Sequence, residues 1–178
     1  MRHLARLFSA LCLLALLAAA ALLYLQASRP PDLIEAPLTG PIERILVEKS
    51  ARRITLYQDG IAVRVWPMAL GFAPEGDKTR EGDGRTPEGL FTINRRNDRS
   101  AFHLSLGLDY PQKDDIARAR KGGYSPGGDI MIHGQPNAVR EPFTVPGDWT
   151  AGCIAITNAQ MREIWDHIPI GTKVEIRP

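Results

Sequence analysis

Apolar and polar positions alternate with a period of two through much of the chain, the pattern of half-buried β-strands. Ile54 and Leu56 alternate with Thr55 and Tyr57, Asp59-Gly60 follows, and Ile61, Val63 and Val65 alternate with Ala62, Arg64 and Trp66. This predicts a β-hairpin, because Asp-Gly accepts the positive φ angles of a tight two-residue turn. Ile45 and Val47 predict a strand before the hairpin, and Val174 and Ile176 a last strand. Phe102, Leu104, Leu106 and Leu108 alternate with His103, Ser105, Gly107 and Asp109. The first set is expected in the core, and His103 and Ser105 on the opposite side, where His103 lines a cleft. Two short helices complete the pattern. One occupies 111–121, opened by Pro111 and stopped by Gly122-Gly123. The other follows Thr157, which forms a capping box with Gln160, and carries Met161, Ile164, Trp165 and Ile168 on one face. The expected fold is mainly β with two short helices.

Three stretches break the alternation. Residues 7–25 are apolar, and that many helical residues at about 1.5 Å each span the ~30 Å core of a bilayer. Arg2 and Arg6 precede them, so the remainder is expected to be exported. Residues 1–27 thus read as a signal anchor or signal peptide, 28–41 with Pro30, Pro31, Pro37 and Pro41 as a linker, and 42–178 as one domain. Gly71 to Gly89 holds five glycines, two prolines and many charges without an apolar period. An irregular run of that length in a compact domain points to function. Gln135 to Asp148, with Pro136, Pro142, Pro146 and Gly147, separates two short β-branched runs.

Composition narrows the chemistry. The 22 basic and 20 acidic residues become 20 of each once residues 1–27 are set aside, and no basic run suggests a nucleic-acid footprint. Of the two cysteines, Cys12 lies in the apolar segment and Cys153 stands alone outside it. A lone thiol in an oxidising compartment is a liability unless it is used. One cysteine with one nearby histidine does not supply the three or four ligands of zinc, and no cofactor is implied.

The two β-branched runs carry the candidate chemistry. His133 ends one and Cys153 begins the other, twenty residues apart and each beside a glycine. An imidazole that takes the proton of a thiol makes the thiolate that attacks carbonyl carbon. Alternation places Cys153 and Ala155 on the face away from the core, and His133 with Met131 likewise. Gly152 allows its own N–H and that of Cys153 to converge on an oxyanion. The Gly134 carbonyl can hold the imidazole in the required tautomer. Trp149, Thr150 and His103 are the candidate substrate contacts, with stapling of the loop to the core as the alternative for Trp149. The loops 71–88 and 135–149 are expected to wall the cleft.

At these residues the chain resembles the L,D-transpeptidases with a YkuD-type catalytic domain. His133-Gly134 and Thr150-Ala151-Gly152-Cys153 match the family's His-Gly…Ser/Thr-x-Gly-Cys signature. Arg85-Thr86-Pro87-Glu88-Gly89, followed by Leu90 to Ile93, matches its upstream Thr-Pro-x-Gly strand. The similarity runs from Ile42 to Ile176. The resemblance implies a β-sandwich-like catalytic domain acting on peptidoglycan stem peptides in the cell envelope. It makes Cys153 the nucleophile and His133 the base and later acid. The acyl group would pass to an amine of another stem or of an envelope protein. Ala151 stands where many members have histidine, and Ala155 where many have arginine. A subgroup with this Gly-Cys-x-Ala pattern includes a hydrolase that releases envelope lipoprotein from the wall, so water is an alternative acceptor. A wall-binding module without catalysis is the third reading.

Overall fold

A computed structural model describes residues 37–178, together with Ala15 and Leu17, which are helical. The remainder of the apolar segment 7–25, and the linker up to residue 36, lie outside the described residues. Among those described, no helix is long and apolar enough to cross a membrane.

Residues 37–178 form a mostly β, half-barrel domain with two helices. The strands are β1 (Arg44–Glu48), β2 (Arg53–Gln58), β3 (Ile61–Pro67), β4 (Gly89–Ser100), β5 (His103–Leu108), β6 (Met131–His133), β7 (Ile154–Ala155) and β8 (Lys173–Arg177). The helices are α1 (Lys113–Gly122) and α2 (Asn158–Trp165). One curved sheet has the order β3-β2-β1-β8-β4-β5-β6-β7. The bend comes from β4, a strand of 12 residues that serves both halves. Gly89–Thr92 pairs with β8, and from Ile93 onward the strand pairs with β5 across two register shifts. The two edges then meet. Beyond β3, Ala69 bridges Ala155 and Gly71 bridges Thr150, which ties the segment entering loop 71–88 to both sides of Cys153.

The core explains why these segments are strands. Ile45, Ile54, Leu56, Ile93, Leu106, Ile132, Ile154 and Val174 are fully buried, each from an inward position of its strand. Met161 and Ile164 of α2 cover them, each side chain contributing about 1.5–3 kcal/mol of burial. The α2 cap is the predicted one: the Thr157 hydroxyl accepts the Gln160 N–H while the Gln160 side chain accepts the Thr157 N–H. Helix α1 starts after Gln112 and stops at Gly123, whose φ is 71°.

Two strands depart from the simple pattern. The hairpin turn is as predicted, with φ 50° at Asp59 and 75° at Gly60. In β3, however, Ile61 is 68% exposed while Arg64 and Trp66 are buried. The register opposes Leu56 to Arg64 and Ile54 to Trp66, so the mixed set faces inward. Arg64 lays its stem on the core and sends its guanidinium to Glu163 at 2.6 Å. In β5, Ser105 is as buried as Leu106 because both faces of the strand are covered there.

Candidate active site

Strands β6 and β7 run parallel, with Ile132 opposite Ile154 and His133 opposite Ala155. The two isoleucines point to the core. Alternation therefore sends His133, Ala155 and Cys153, one step before β7, to the other face. His133 and Cys153 become diagonal neighbours on adjacent strands.

His133 is held from three sides. Its Nδ1 lies 2.7 Å from the Gly134 carbonyl oxygen. A carbonyl only accepts, so Nδ1 carries the hydrogen and Nε2 keeps its lone pair. Gly134 in turn donates its N–H to the Phe102 and Leu104 carbonyls. A Cβ at Gly134 would lie 2.4 Å from Asn158 Oδ1, so the close approach requires glycine. The rings of Phe102 and Trp149 stand 4.7 and 5.6 Å from the imidazole. Burial pushes the His133 pKa below the ordinary histidine value, opposed by the Gly134 carbonyl.

The Cys153 turn is built on glycine and threonine. Gly152 has φ 135°, and a Cβ there would lie 2.6 Å from the Arg85 carbonyl oxygen. The Cys153 thiol donates to the Asp129 carbonyl at 3.3 Å. Burial raises the thiol pKa; the Met131 N–H against the sulfur opposes this, the Asp129 charge adds to it, and Lys78 and Arg95 oppose it. Both shifts, the thiol up and the imidazole down, favour the uncharged form of each group.

The remaining predicted residues separate into two groups. Thr150 is buried, and its hydroxyl accepts the Gly152 N–H at 3.1 Å and donates to the Cys153 carbonyl at 2.8 Å. Both of its bonds lie inside the turn. The Gly152 N–H, the expected oxyanion donor, thus has the Thr150 hydroxyl as its partner. Trp149 packs on His133 and on Phe102. His103 sits at φ 66°, donates its N–H to Asn137 Oδ1 at 2.8 Å and lies with its Cβ against Gly134. Three buried side-chain atoms lack a partner among the described residues: His103 Nε2, Trp149 Nε1 and Ser105 Oγ. All three belong to residues around His133, since Ser105 is its cross-strand partner on β5.

Buried polar residues that alternation did not indicate hold the two loops. Lys49 donates to the Gly76 and Thr86 carbonyls and to Glu88 at 2.6, 2.9 and 2.8 Å. Lys78 pairs with Asp83 at 2.7 Å. Gln135 donates to the Ile156 carbonyl at 2.8 Å and accepts the Val145 N–H at 2.9 Å, which ties down the loop after His133. Of these, only Gln135 had a sequence signal, its place directly after the His-Gly pair.

A mostly β half-barrel that sets one histidine and one cysteine on neighbouring strands has the architecture of an L,D-transpeptidase catalytic domain. The chain belongs to that family, since residues 42–176 match the YkuD L,D-transpeptidase catalytic domain. YafK of Escherichia coli K12 is 27% identical over 95 residues, 52% of this chain and 32% of YafK. The helical cell shape determining protein Pgp2 of Campylobacter jejuni superposes with TM-score 0.59 at 24% identity, over 78% of this chain and 48% of Pgp2. The L,D-transpeptidase of Xylanimonas cellulosilytica superposes with TM-score 0.53 at 20% identity, over 86% of this chain and 67% of that chain. The chain thus spans about a third of YafK and about half of Pgp2, and the two structural likenesses are those of fold.

Proposed function

We propose that the domain performs cysteine-dependent acyl transfer on peptidoglycan stem peptides in the cell envelope. The observation that carries this reading is the bond from His133 Nδ1 to the Gly134 carbonyl, which leaves Nε2 as a base on the face of Cys153. Nε2 takes the thiol proton, and sulfur attacks the amide carbonyl. The Cys153 N–H donates to the oxyanion that forms. Collapse breaks the carbon–nitrogen bond, His133 returns the proton to the leaving amine, and a thioester remains on Cys153. An incoming amine, from another stem or an envelope protein, loses its proton to His133 and takes the acyl group. Trp149 and His103 face the substrate, Thr150 shapes the turn, and the two loops wall the cleft. Residues 1–27 export or anchor the domain, and 28–41 act as its spacer.

Ala155 favours a second reading, hydrolysis. It is 2% exposed and lies two residues after the nucleophile in the Gly-Cys-x-Ala pattern, so no cation stands there to select a charged acceptor. Water would then resolve the same thioester.

Mass spectrometry of the protein with disaccharide-tetrapeptides, and separately with crosslinked muropeptides, tests both. A dimeric product with loss of D-alanine, absent in Cys153→Ala, establishes transpeptidation. Cleavage of the crosslinked substrate without dimers establishes hydrolysis. Absence of both products and of an acyl-enzyme would overturn the catalytic reading and leave the wall-binding module.

A further inference from the structure

Beside the Cys153 turn, loop 71–88 opens a cavity of about 600 Å³ whose wall includes Thr79, Arg80, Asp83, Arg85 and Tyr124. One residue joins it to the proposed chemistry. The Arg85 carbonyl packs against Gly152, and Arg85 is also part of the cavity wall.

The charge of this wall is set by what its members already bind. Asp83 is the one acid, and it is fully engaged. Lys78 donates to it at 2.7 Å, and the N–H groups of Thr79, Arg80 and Arg85 at 2.8, 3.0 and 3.1 Å. Burial alone would raise its pKa, yet these donors hold the carboxyl well below the usual carboxylate range. The Lys78–Asp83 pair therefore cancels, and the wall keeps two positive charges. Arg85 spends one N–H on the Asp77 carbonyl at 3.2 Å. The Arg80 guanidinium has no hydrogen bond or ion pair among the described residues. Two arginines on one wall, the guanidinium of Arg80 wholly uncommitted, suit an oxyanion with two acceptor atoms.

We propose that this cavity is a carboxylate subsite, in which Arg80 and Arg85 hold a free carboxylate of the peptide beside the amide that Cys153 attacks. The proposal rests on the acyl-transfer reading above and adds how the substrate is placed. Two carboxylates of a stem peptide share this chemistry, the one at its C-terminus and the one on a diamino-acid side chain. Arg80 is exposed and serves no internal contact, so its replacement tests recognition without disturbing the fold.

The experiment measures calorimetric affinity of the full-length Cys153→Ala protein for a tetrapeptide stem and for two analogues, each with one carboxylate replaced by a carboxamide. The same titrations are repeated after adding Arg80→Gln. One carboxamide is expected to weaken binding about fivefold to tenfold, and Arg80→Gln to weaken binding of the parent peptide by a similar factor. Combining the two should cost no more than either alone, and the carboxamide that shows this identifies the carboxylate. Independent, multiplying losses would overturn the proposal, as would unchanged affinity in Arg80→Gln or no affinity for any of the peptides. Acyl-enzyme formation by the protein with Cys153 intact is read separately. Turnover that Arg80→Gln leaves untouched removes the subsite and keeps the chemistry. Carboxylate-selective binding without any acyl-enzyme keeps the subsite and removes the chemistry.

Discussion

Thr150 binds the turn that presents Cys153 through a single oxygen, donating to the Cys153 carbonyl and accepting the Gly152 N–H. Replacing it with valine keeps the shape and strands two backbone groups. Thr150→Val is expected to cost about 1–3 kcal/mol of stability, read by urea unfolding. It should lower kcat with little change in KM, and Thr150→Ser should restore both. A raised KM at unchanged stability would return Thr150 to the substrate.

Trp149 stands edge-on to His133 at 5.6 Å and contributes to the burial that depresses the imidazole pKa. The base acts only when neutral, so the acid limb of kcat/KM lies below the ordinary histidine value of about 6.5. In Trp149→Ala, water reaches the ring, the pKa rises, and the acid limb should move to higher pH while kcat falls. A pH–rate profile of the variant checks this. An unmoved limb would make Trp149 only a staple between loop and core.

The thiol makes an opposite statement. Burial raises the Cys153 pKa, which favours the uncharged thiol. Alkylation by iodoacetamide in the absence of substrate should be slow near pH 7 and rise with a midpoint above the ~8.5 of a free cysteine. A rate already at its plateau near neutrality would mean a standing thiolate–imidazolium pair.

These expectations could be drawn because the strands and the reactive pair were legible before any coordinates. Alternation around Ile54, Leu106 and Ile132 specifies which side chains enter the core, and Asp59-Gly60 and Thr157…Gln160 mark a turn and a helix start by local chemistry. His133 and Cys153 were visible because a glycine and a β-branched run flank each. The pattern failed where tertiary contacts overrule local preference. Arg64 turns inward because its register partner is Leu56 and Glu163 waits beside it. Lys49 looks like a surface lysine until loop 71–88 folds over it, and Lys78 until its own loop turns Asp83 back onto it. The engagement of the Gly152 N–H was likewise invisible, since it depends on the rotamer of a side chain two residues away.

Loop 71–88 provides the last test, through the clasp between Lys78 and Asp83. Their side chains are 3% and 8% exposed, so removing one leaves the other as a buried charge. Asp83→Ala is expected to cost about 3–5 kcal/mol in chemical denaturation, and Lys78→Met/Asp83→Leu much less, because no charge is then stranded. The depressed carboxyl pKa gives the sign of the pH dependence: the stabilisation is fully present above the unfolded carboxylate value and is lost only as pH falls through the lower folded value. Mild acid should therefore spare the loop in the native protein. Because Arg85 carries the loop against Gly152, Asp83→Ala should also slow acyl-enzyme formation on Cys153 under conditions where the protein remains folded. Equal destabilisation by the single and double replacements would show that the clasp is not what holds the loop.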